Sequence, residues 1–415
     1  MRSSRPPLLA LDDALERLMA AARTLDELES VSTFDADGRV LAQDLVSDLH
    51  VPPQDNSSMD GYAVVSADLS RKGTVLTVTQ RIAAGTSGQP LHSGQTARIF
   101  TGAPIPPGAD AVVMQEDCEI VGEPSDGAPA QVRINTVPAP GQWIRRAGED
   151  VTRSSVVLAR GARLSPQGLG LAAGIGFDRL SVVRRPRVAL FSTGDELVMP
   201  GAVAPADMKP GAIYNSNRFF LRAMLLRLGC EVSDLGIVPD NRQATLEALR
   251  SASIHHDLIL TSGGVSVGEE DHIRPAVMSL GALDLWQIAM KPGKPFAYGH
   301  VGPAHFIGLP GNPVSSFVTF AVLVRPFLLR LQGATELASP ASPARADFEW
   351  RRPDLRRDFL RVRRNGDGGL DLFSNQSSGV LTSAVWGDGL VDNPSGSTIA
   401  RGDTVRYLAF ADLLS

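Results

Sequence analysis

The sequence has very few cysteines: Cys118 and Cys230 are the only two in 415 residues. They lie far apart along the chain, which argues against a disulfide framework and against a cysteine-based metal site. The seven histidines are also scattered, apart from the adjacent pair His255 and His256, and they show no zinc-binding spacing. The scarcity of cysteine favours a reducing compartment, and we expect a cytoplasmic localisation.

The chain also lacks an excess of positive charge. Its formal net charge is −5 and its pI is about 5.8, so it has no electrostatic footprint of a nucleic-acid-binding protein. No uninterrupted apolar segment is long enough to cross a bilayer. Residues 1–22 mix acids with leucines, which is typical of an amphipathic helix and not of a signal peptide. We therefore expect neither nucleic acid nor a membrane among its partners.

Signatures of two common ligand sites are missing. No Gly-Lys-Ser or Gly-Lys-Thr follows a glycine-rich turn, which excludes a Walker loop, and the dinucleotide fingerprint is absent as well. No paired cysteine and histidine indicate a covalent nucleophile. Any catalysis is therefore expected to rely on a metal and on electrostatic assistance.

Length and pattern predict a multidomain α/β protein. With 43% apolar residues, 415 residues can build three or four domains. Residues 51–140 hold short β-like runs separated by Gly and Pro, which is typical of a small all-β domain. Residues 1–50 and 141–185 are mixed in character and form a second domain. A Ser/Pro/Ala-rich linker at 334–345 leads into a C-terminal β-barrel or sandwich at 340–415.

Strand and helix patterns alternate from residue 186 to residue 333, which predicts a doubly wound parallel sheet. The predicted strands are 188–191, 231–238 and 257–260, with further strands ending near Met290 and Leu309. The predicted helices are 218–228, 243–251 and about 315–331. In such sheets the ligand crevice lies outside the carboxyl ends of the strands.

Three glycine-rich turns fall within this domain, at residues 261–268, 291–295 and 309–313. The first offers hydroxyls and open backbone N–H groups, which suit an anion, although a structural turn that needs positive φ is the alternative. Its candidate ligand-binding residues are Ser262, Gly263, Gly264, Ser266 and Gly268. Lys291 and Lys294 lie in a turn stiffened by prolines, where they favour an anion over simple solvation. The turns together predict a phosphorylated ligand.

Acidic residues follow several of these strands. Asp195 and Glu196 follow the first, Asp240 follows the second, and residues 269–271, including Asp271, follow the first glycine turn. Carboxylates that converge on one sheet edge can hold Mg²⁺. The alternative is helix capping, because acids favour helix N-termini in any α/β fold. Residues 55–63 and 101–110, by contrast, are polar or rigid loops without obvious chemistry of their own.

Several stretches together resemble the molybdopterin molybdenumtransferase (MoeA) family, which includes the E domain of gephyrin. They keep the family order along most of the chain, and they are residues 55–63, 101–104, 115–117, 144–150, 192–197, 213–218, 261–268, 291–295 and 309–313. The resemblance implies an elongated homodimer of four domains, with 1–50 and 141–185 in dimerisation and 186–333 in molybdopterin binding. It also implies the insertion of molybdenum from molybdate into adenylylated molybdopterin, with release of AMP and a Mg²⁺ requirement.

The resemblance also assigns site residues. It implies catalytic roles for Asp60, Glu196, Asp240, Asp271 and Lys291, with Glu196, Asp240 and Asp271 as metal ligands. The implied substrate contacts, besides the first glycine turn, are Thr101, Asp150, Lys294, Pro310, Pro313, Arg361 and Ser378. Asp60 and Thr101 would come from the partner subunit. Lys291, Lys294 and Arg361 would attract molybdate and phosphates.

The chain departs from the family pattern at two positions. Gln287 stands where the family often has a lysine, which weakens the positive field four residues before Lys291, and Asn241 stands beside Asp240 where a second acid is common. Two other functions are related to this fold: the adenylylating step of the same pathway, and a protein scaffold like gephyrin. The segment at 55–63 and the terminal β domain favour the insertase. Expected partners are the adenylyltransferase of the pathway and apo-molybdoenzymes.

Overall fold

The structure is a computed structural model, and it describes residues 8–122, 129–264 and 272–414. The chain divides into two compact units. Unit 1 comprises Met1–Gln43, Gly161–Ser165 and Leu180–Ser415, and unit 2 comprises Asp44–Arg160 and Pro166–Arg179.

The first part of the chain forms mostly short strands. They and the helices between them are α1 (Leu11–Ala21), β1 (Leu28–Ser32), β2 (Leu45–Val46), β3 (Asn56–Ser57), β4 (Gly61–Val64), β5 (Thr74–Ile82), β6 (Gln95–Ile99), β7 (Ala111–Met114), β8 (Cys118–Gly122), β9 (Gln131–Ile134), β10 (Ile144–Arg145), β11 (Val156–Leu158), α2 (Pro166–Gly174) and β12 (Arg179–Val183). In unit 2 the larger sheet has the order β7–β4–β6–β5–β9–β8. The all-β character predicted for this region is confirmed.

The middle part alternates strands and helices. Its elements are β13 (Arg187–Thr193), β14 (Leu197–Val198), β15 (Ile213–Tyr214), α3 (Asn217–Arg227), β16 (Glu231–Val238), α4 (Arg242–His255), β17 (Leu258–Ser262), α5 (Ile273–Leu280), β18 (Gly281–Gln287), β19 (Met290–Lys291), β20 (Pro295–Val301), β21 (Ala304–Leu309), α6 (Pro313–Thr319) and α7 (Arg325–Leu331). A π-helical segment, Phe320–Val324, joins α6 to α7.

The main sheet of unit 1 has the order β16–β13–β17–β21–β20–β18. The strands from β16 to β21 run parallel, whereas β20 and β18 are antiparallel to their neighbours. Alternate residues of β13 serve two cores: Val188 and Leu190 pack with α1, α3, α6 and α7, and Ala189 and Phe191 pack with α4 and α5. Helices therefore cover both faces, which confirms the doubly wound arrangement, and the far edge makes the sheet mixed.

The last part of the chain closes into a barrel. Its elements are β22 (Ser342–Ala346), β23 (Arg357–Arg364), β24 (Gly369–Leu372), α8 (Thr382–Trp386), β25 (Gly389–Asn393), β26 (Thr404–Ala409) and α9 (Phe410–Leu413). The strands pair in the order β23–β24–β22–β26–β25, and β25 pairs back to β23. Closure removes the free sheet edges, and Leu360, Val362 and Val391 fill the interior.

One helical stretch in the described residues, Pro313–Leu331, has the length and mean hydropathy of a membrane span. It is 83% buried against the rest of the fold, as expected for the central helix of an apolar core. The stretch contains Arg325 and Arg330, so it is not an uninterrupted apolar segment, and its apolar residues pack inside the protein.

Candidate functional site

The parallel strands of the main sheet end together. Their register pairs Thr193 with Val238, Ser192 with Ser262, and Ser262 with Leu309. The residues that follow these strands therefore leave the sheet at the same edge. Glu196, Asp240 and the first and third glycine turns all follow from these strand ends, as the alternating pattern predicted.

The first and third glycine turns are bonded to each other. The backbone N–H of Gly263 donates to the carbonyl of Leu309 at 3.1 Å. The buried side chain of Asn217, at the start of α3, donates to Ser262 Oγ at 2.8 Å and to the Gly311 carbonyl at 2.7 Å. Asn217 therefore fixes the spacing of the two turns. Sequence reasoning missed this role.

Residues 263 and 264 are glycines at positions where neighbouring atoms leave little room for a side chain. Gly263 has a φ of +95°, and a Cβ there would lie 2.8 Å from the carbonyl oxygen of Thr193. Gly264 has a φ of +64°, and its Cβ would lie 2.5 Å from Ile273 Cδ1. Both positions favour glycine because a side chain would collide with the neighbouring strand or helix. Ser266, Gly268 and Asp271 lie outside the described residues.

Two of the three predicted metal ligands are described. Glu196 is exposed, and its carboxylate folds back over Gly194: a Cβ built on that glycine would lie 2.5 Å from Glu196 Oε2. Asp240, which follows the end of β16, is half-buried. Among the described residues no group of three His, Cys, Asp or Glu side chains could hold a metal ion. The third predicted ligand, Asp271, falls outside the described ranges, so the metal prediction stays a prediction.

Lys291 lies between the main sheet and the barrel of unit 1. It ends β19, which pairs in parallel with β23, and its Nζ lies 3.6 Å from both Asp354 Oδ2 and Asp358 Oδ1. Burial raises the pKa of the Asp358 carboxyl, whereas hydrogen bonds from Arg356 hold the pKa of Asp354 well below its usual range. The lysine charge is therefore shared with two carboxylates. Lys294 is half-buried in the same turn.

Arg361 is almost fully buried in the barrel, with 1% of its surface exposed. Its guanidinium donates to Ser383 Oγ at 3.1 Å and to the carbonyls of Phe359 and Ser377 at 3.0 and 3.4 Å. Burial lowers its pKa to about 10. The side chain holds the 377–378 loop in place, so any effect on an oxyanion would act through that loop.

The 377–378 loop reaches the third glycine turn. The carbonyl of Ser378 accepts a 2.9 Å hydrogen bond from the N–H of Val314 in the first turn of α6. Pro313 begins that helix, where the missing proline N–H costs no hydrogen bond. Ser378 and the first turn of α6, which Pro313 begins, are thus brought together.

In unit 2, Asp60 and Thr101 form one corner. The backbone N–H and the hydroxyl of Thr101 both donate to Asp60 Oδ1 at 2.8 Å, which lowers the pKa of Asp60, with the backbone bond as the largest cause. Asp150 is exposed, and its N–H donates to the Val51 carbonyl at 2.9 Å. Within the described part of the chain, no hydrogen bond or ion pair joins Asp150 to Asp60.

The sequence matches known protein regions along most of its length. Residues 9–176 match the MoeA N-terminal region (domain I and II), residues 189–330 match a probable molybdopterin binding domain, and residues 343–410 match the MoeA C-terminal region (domain IV).

Individual relatives agree over nearly the whole chain. A molybdopterin molybdenumtransferase of Haemophilus influenzae is 37% identical over 413 residues, which covers 98% of this chain and 100% of the relative. One from a Nostoc species is 37% identical over 399 residues, covering 92% of this chain and 88% of the relative. The crystal structure of the Pyrococcus molybdopterin biosynthesis moeA protein is 30% identical, with a TM-score of 0.75 and coverage of 97% and 99%. The chain belongs to the molybdopterin molybdenumtransferase family.

Proposed function

We propose that this protein, a transferase of molybdenum cofactor biosynthesis, inserts molybdenum from molybdate into adenylylated molybdopterin. The phosphoanhydride bond breaks, AMP leaves, and the two dithiolene sulfurs replace oxygen ligands of molybdate. No protein thiol is needed, in keeping with the burial of Cys230 and the raised pKa, about 12, of both cysteine thiols. The observation that carries the proposal is the sheet edge of unit 1, where Asn217 joins the two glycine turns.

The glycine turns bind the nucleotide part of the substrate. We assign Ser262, Gly263, Gly264, Ser266 and Gly268 to this contact, because hydroxyls and backbone N–H groups suit phosphate oxygens. The Gly263 N–H is itself bonded to the Leu309 carbonyl, and Ser266 and Gly268 lie outside the described residues. Pro310 and Pro313 shape the opposite wall, and Ser378 closes it from the barrel through its bond to Val314. Lys291 and Lys294 contribute positive charge, and Arg361 holds the barrel loop in position. The family resemblance assigns Asp150 to substrate contact as well.

Mg²⁺ fits the chemistry of the described donors. Glu196 and Asp240 offer hard carboxylate oxygens at strand ends, and Mg²⁺ commonly takes one or two protein carboxylates and completes its shell with water and substrate phosphates. Such a site needs no three-residue cluster on the protein. Glu196, Asp240 and Asp271 would hold the ion, which when bound neutralises charge on the phosphates. The carboxylates also orient the water that attacks the phosphoanhydride.

The proposal includes a cytoplasmic homodimer. As the family resemblance implies, the partner subunit supplies Asp60 and Thr101 to each site, with Asp60 ionised because Thr101 donates two hydrogen bonds to it. The adenylyltransferase of the pathway delivers the substrate, and apo-molybdoenzymes receive the product. The closed C-terminal barrel supports the insertase over the adenylyltransferase of the same pathway, since the whole chain matches the insertase family.

The proposal is tested by turnover. Purified full-length protein is mixed with adenylylated molybdopterin, molybdate and Mg²⁺, and both AMP release and the formation of active cofactor are followed. We expect AMP release that depends on molybdate and on Mg²⁺, with a parallel reaction lacking molybdate as the control. A folded sample that releases no AMP would contradict the proposed function.

A further inference from the structure

Two arginines lie side by side on the sheet of unit 2. Arg81 of β5 and Arg98 of β6 are register partners, and Arg98 also pairs with Tyr62 of β4. Both guanidiniums pack on the ring of Phe100, with Cζ atoms 4.4 and 4.8 Å from its centroid. Arg98 also lies 5.2 Å from the ring centroid of Tyr62. The aromatic rings hold both cations in place.

The two charges form no ion pair among the described residues, although the Asp60 carboxylate attracts Arg98 at longer range. Among the described residues neither guanidinium lies within ion-pair distance of a carboxylate. Arg98 donates to the Gly61 carbonyl at 2.9 Å and to Gln115 Oε1 at 2.5 Å, both uncharged acceptors, while the Arg81 side chain is exposed. Like charges on directly paired residues of a sheet are unfavourable. An anion bound against the pair would remove that repulsion.

The arginine pair adjoins the Asp60–Thr101 corner. Phe100 directly precedes Thr101, which donates twice to Asp60. Gln115, which accepts from Arg98, gives its own backbone N–H to the Asp60 carbonyl at 3.1 Å. The arginine pair is therefore close to Asp60 and Thr101: Phe100, on which both guanidiniums pack, precedes Thr101, and Gln115 bonds to both Arg98 and Asp60.

We propose that Arg81 and Arg98 form a binding subsite for a tetrahedral oxyanion. The inference rests on the proposed function, which supplies two anions of this shape: a phosphate of the pterin nucleotide, and molybdate. A planar guanidinium offers paired N–H donors that match such oxygens, and Phe100 keeps both planes ordered before the anion arrives. Arg98, tied to the sheet by two hydrogen bonds, is the fixed member, and Arg81 is the adjustable one.

The test measures binding of AMP and of molybdate, separately, to the full-length protein by isothermal titration at low salt. Because Arg81 is exposed, Arg81→Gln leaves the fold intact, and we expect it to weaken one of the two probes about fivefold. Weaker binding of AMP identifies the phosphate as the ligand of the subsite, and weaker binding of molybdate identifies the metal oxyanion. The difference from wild type should shrink at high salt, because exposed charges are screened.

Lys72→Gln is the matched control. Lys72 is an exposed cation in the turn just before β5 and lies outside the arginine pair, so its removal should leave both affinities unchanged. Equal binding of both probes by wild type and Arg81→Gln, or binding of neither probe by wild type, would overturn the subsite. A wild type that binds a probe through Arg81 but releases no AMP would overturn the proposed function and leave the subsite standing.

Discussion

At the scale of single residues, Asp60 shows how one neighbour sets the charge of a candidate catalytic group. Both hydrogen bonds from Thr101 favour the ionised carboxylate, so the pKa of Asp60 lies below its ordinary value. Asp60 is half-buried, and the hydrogen bonds from Thr101 outweigh the opposing effect of burial on its pKa. It therefore serves as an acceptor, and not as an acid, near neutral pH.

Thr101→Val tests this assignment. The substitution removes the hydroxyl donor and keeps the backbone N–H, which is the larger cause of the shift, so we expect the pKa of Asp60 to rise part of the way toward its ordinary value. Carboxyl-carbon NMR titration measures the change. The control is Thr86→Val, because Thr86 in the same unit bonds only the Ala83 carbonyl. An unchanged Asp60 titration in Thr101→Val would contradict the role of the hydroxyl.

Asn217 provides a second residue-scale prediction. Asn217→Ala leaves Ser262 Oγ and the Gly311 carbonyl without their donor, which we expect to cost about 1–3 kcal/mol of stability. The affinity for AMP should fall as well, because the first and third glycine turns lose the side chain that hydrogen-bonds to both. Titration calorimetry with AMP and chemical unfolding measure the two effects.

The control for Asn217 is Ser279→Ala, whose hydroxyl bonds within its own helix. It should leave AMP affinity unchanged. If Asn217→Ala lowered stability but bound AMP like wild type, its role would be purely structural, and Asn217 would be removed from the site.

Residue roles were the part of the site least accessible to sequence reasoning. The side chain of Asn217 bonds residues 45 and 94 positions further along the chain, and no local pattern encodes such distances. Arg361 was expected to attract an oxyanion. Inside the barrel its guanidinium donates hydrogen bonds to Ser383, Phe359 and Ser377. A charge in a sequence does not reveal how deeply the fold buries it.

At the scale of elements, periodicity predicted most of the main sheet. The predicted strand 231–238 agrees with β16, because its apolar spacing and the flanking Gly and Pro are local signals. The parallel prediction held for β21, which pairs in parallel with β17, and it failed for β20 and β18 at the far edge of the sheet. Only Gly302 and Pro303 separate β20 from β21, which is too short for a crossover helix, so these two strands pair antiparallel.

The strand predicted to end near Met290 is β18, which ends at Gln287 in the main sheet, and a short strand that the pattern did not predict follows it. Residues 290–291 form β19, which pairs with β23 of the barrel. A two-residue strand carries no periodicity, and its partner lies more than sixty residues away, so only the folded chain reveals the pairing. This pairing places Lys291 beside Asp354 and Asp358.

The first glycine turn yields the element-scale prediction. Gly263→Ala places a Cβ 2.8 Å from the Thr193 carbonyl at a φ of +95°, and we expect a loss of about 1–3 kcal/mol together with weaker AMP binding. Gly311→Ala is the matched control in the third turn, because nothing lies within 4 Å of its Cβ position and its φ is not in the left-handed region. Chemical unfolding compares the two variants. Equal stability would show that the turn adapts and that glycine is not required there.

At the scale of the whole molecule, the sequence predicted the order of architectures along the chain but not the buried polar network that joins strands of the main sheet. Tyr298 Oη lies 2.9 Å from His305 Nδ1 and 3.2 Å from His300 Nε2, with the two histidines directly paired across β20 and β21. Phe327 of α7 packs edge-on against His305. Scattered histidines gave no sign of this cluster, because the strand pairing alone brings them together.

The cluster makes the stability of the protein depend on pH. Burial is the main cause that lowers the pKa of His305 to about 4, followed by the nearby His300, while Asp257 opposes the shift. Burial also lowers the pKa of His300, opposed by Asp284. An unfolded histidine takes up its proton near pH 6.5. Between about pH 6.5 and about 4 the unfolded chain therefore binds protons that the folded chain refuses, and stability falls as the pH falls.

His305→Asn should remove much of this pH dependence. The folded and unfolded pKa values of His305 differ by roughly two and a half units, which corresponds to at most about 3 kcal/mol of unfolding free energy. Wild type should lose up to this amount between near-neutral and mildly acidic pH, and the variant should not. Urea unfolding at about pH 7.5 and about pH 4.5 measures how much unfolding free energy each protein loses between the two pH values. The exposed His255 in α4 gives the control variant His255→Asn, which should follow wild type because its side chain stays in water. Parallel curves for wild type and His305→Asn would show that the cluster accepts its proton in the folded state, which would contradict the prediction.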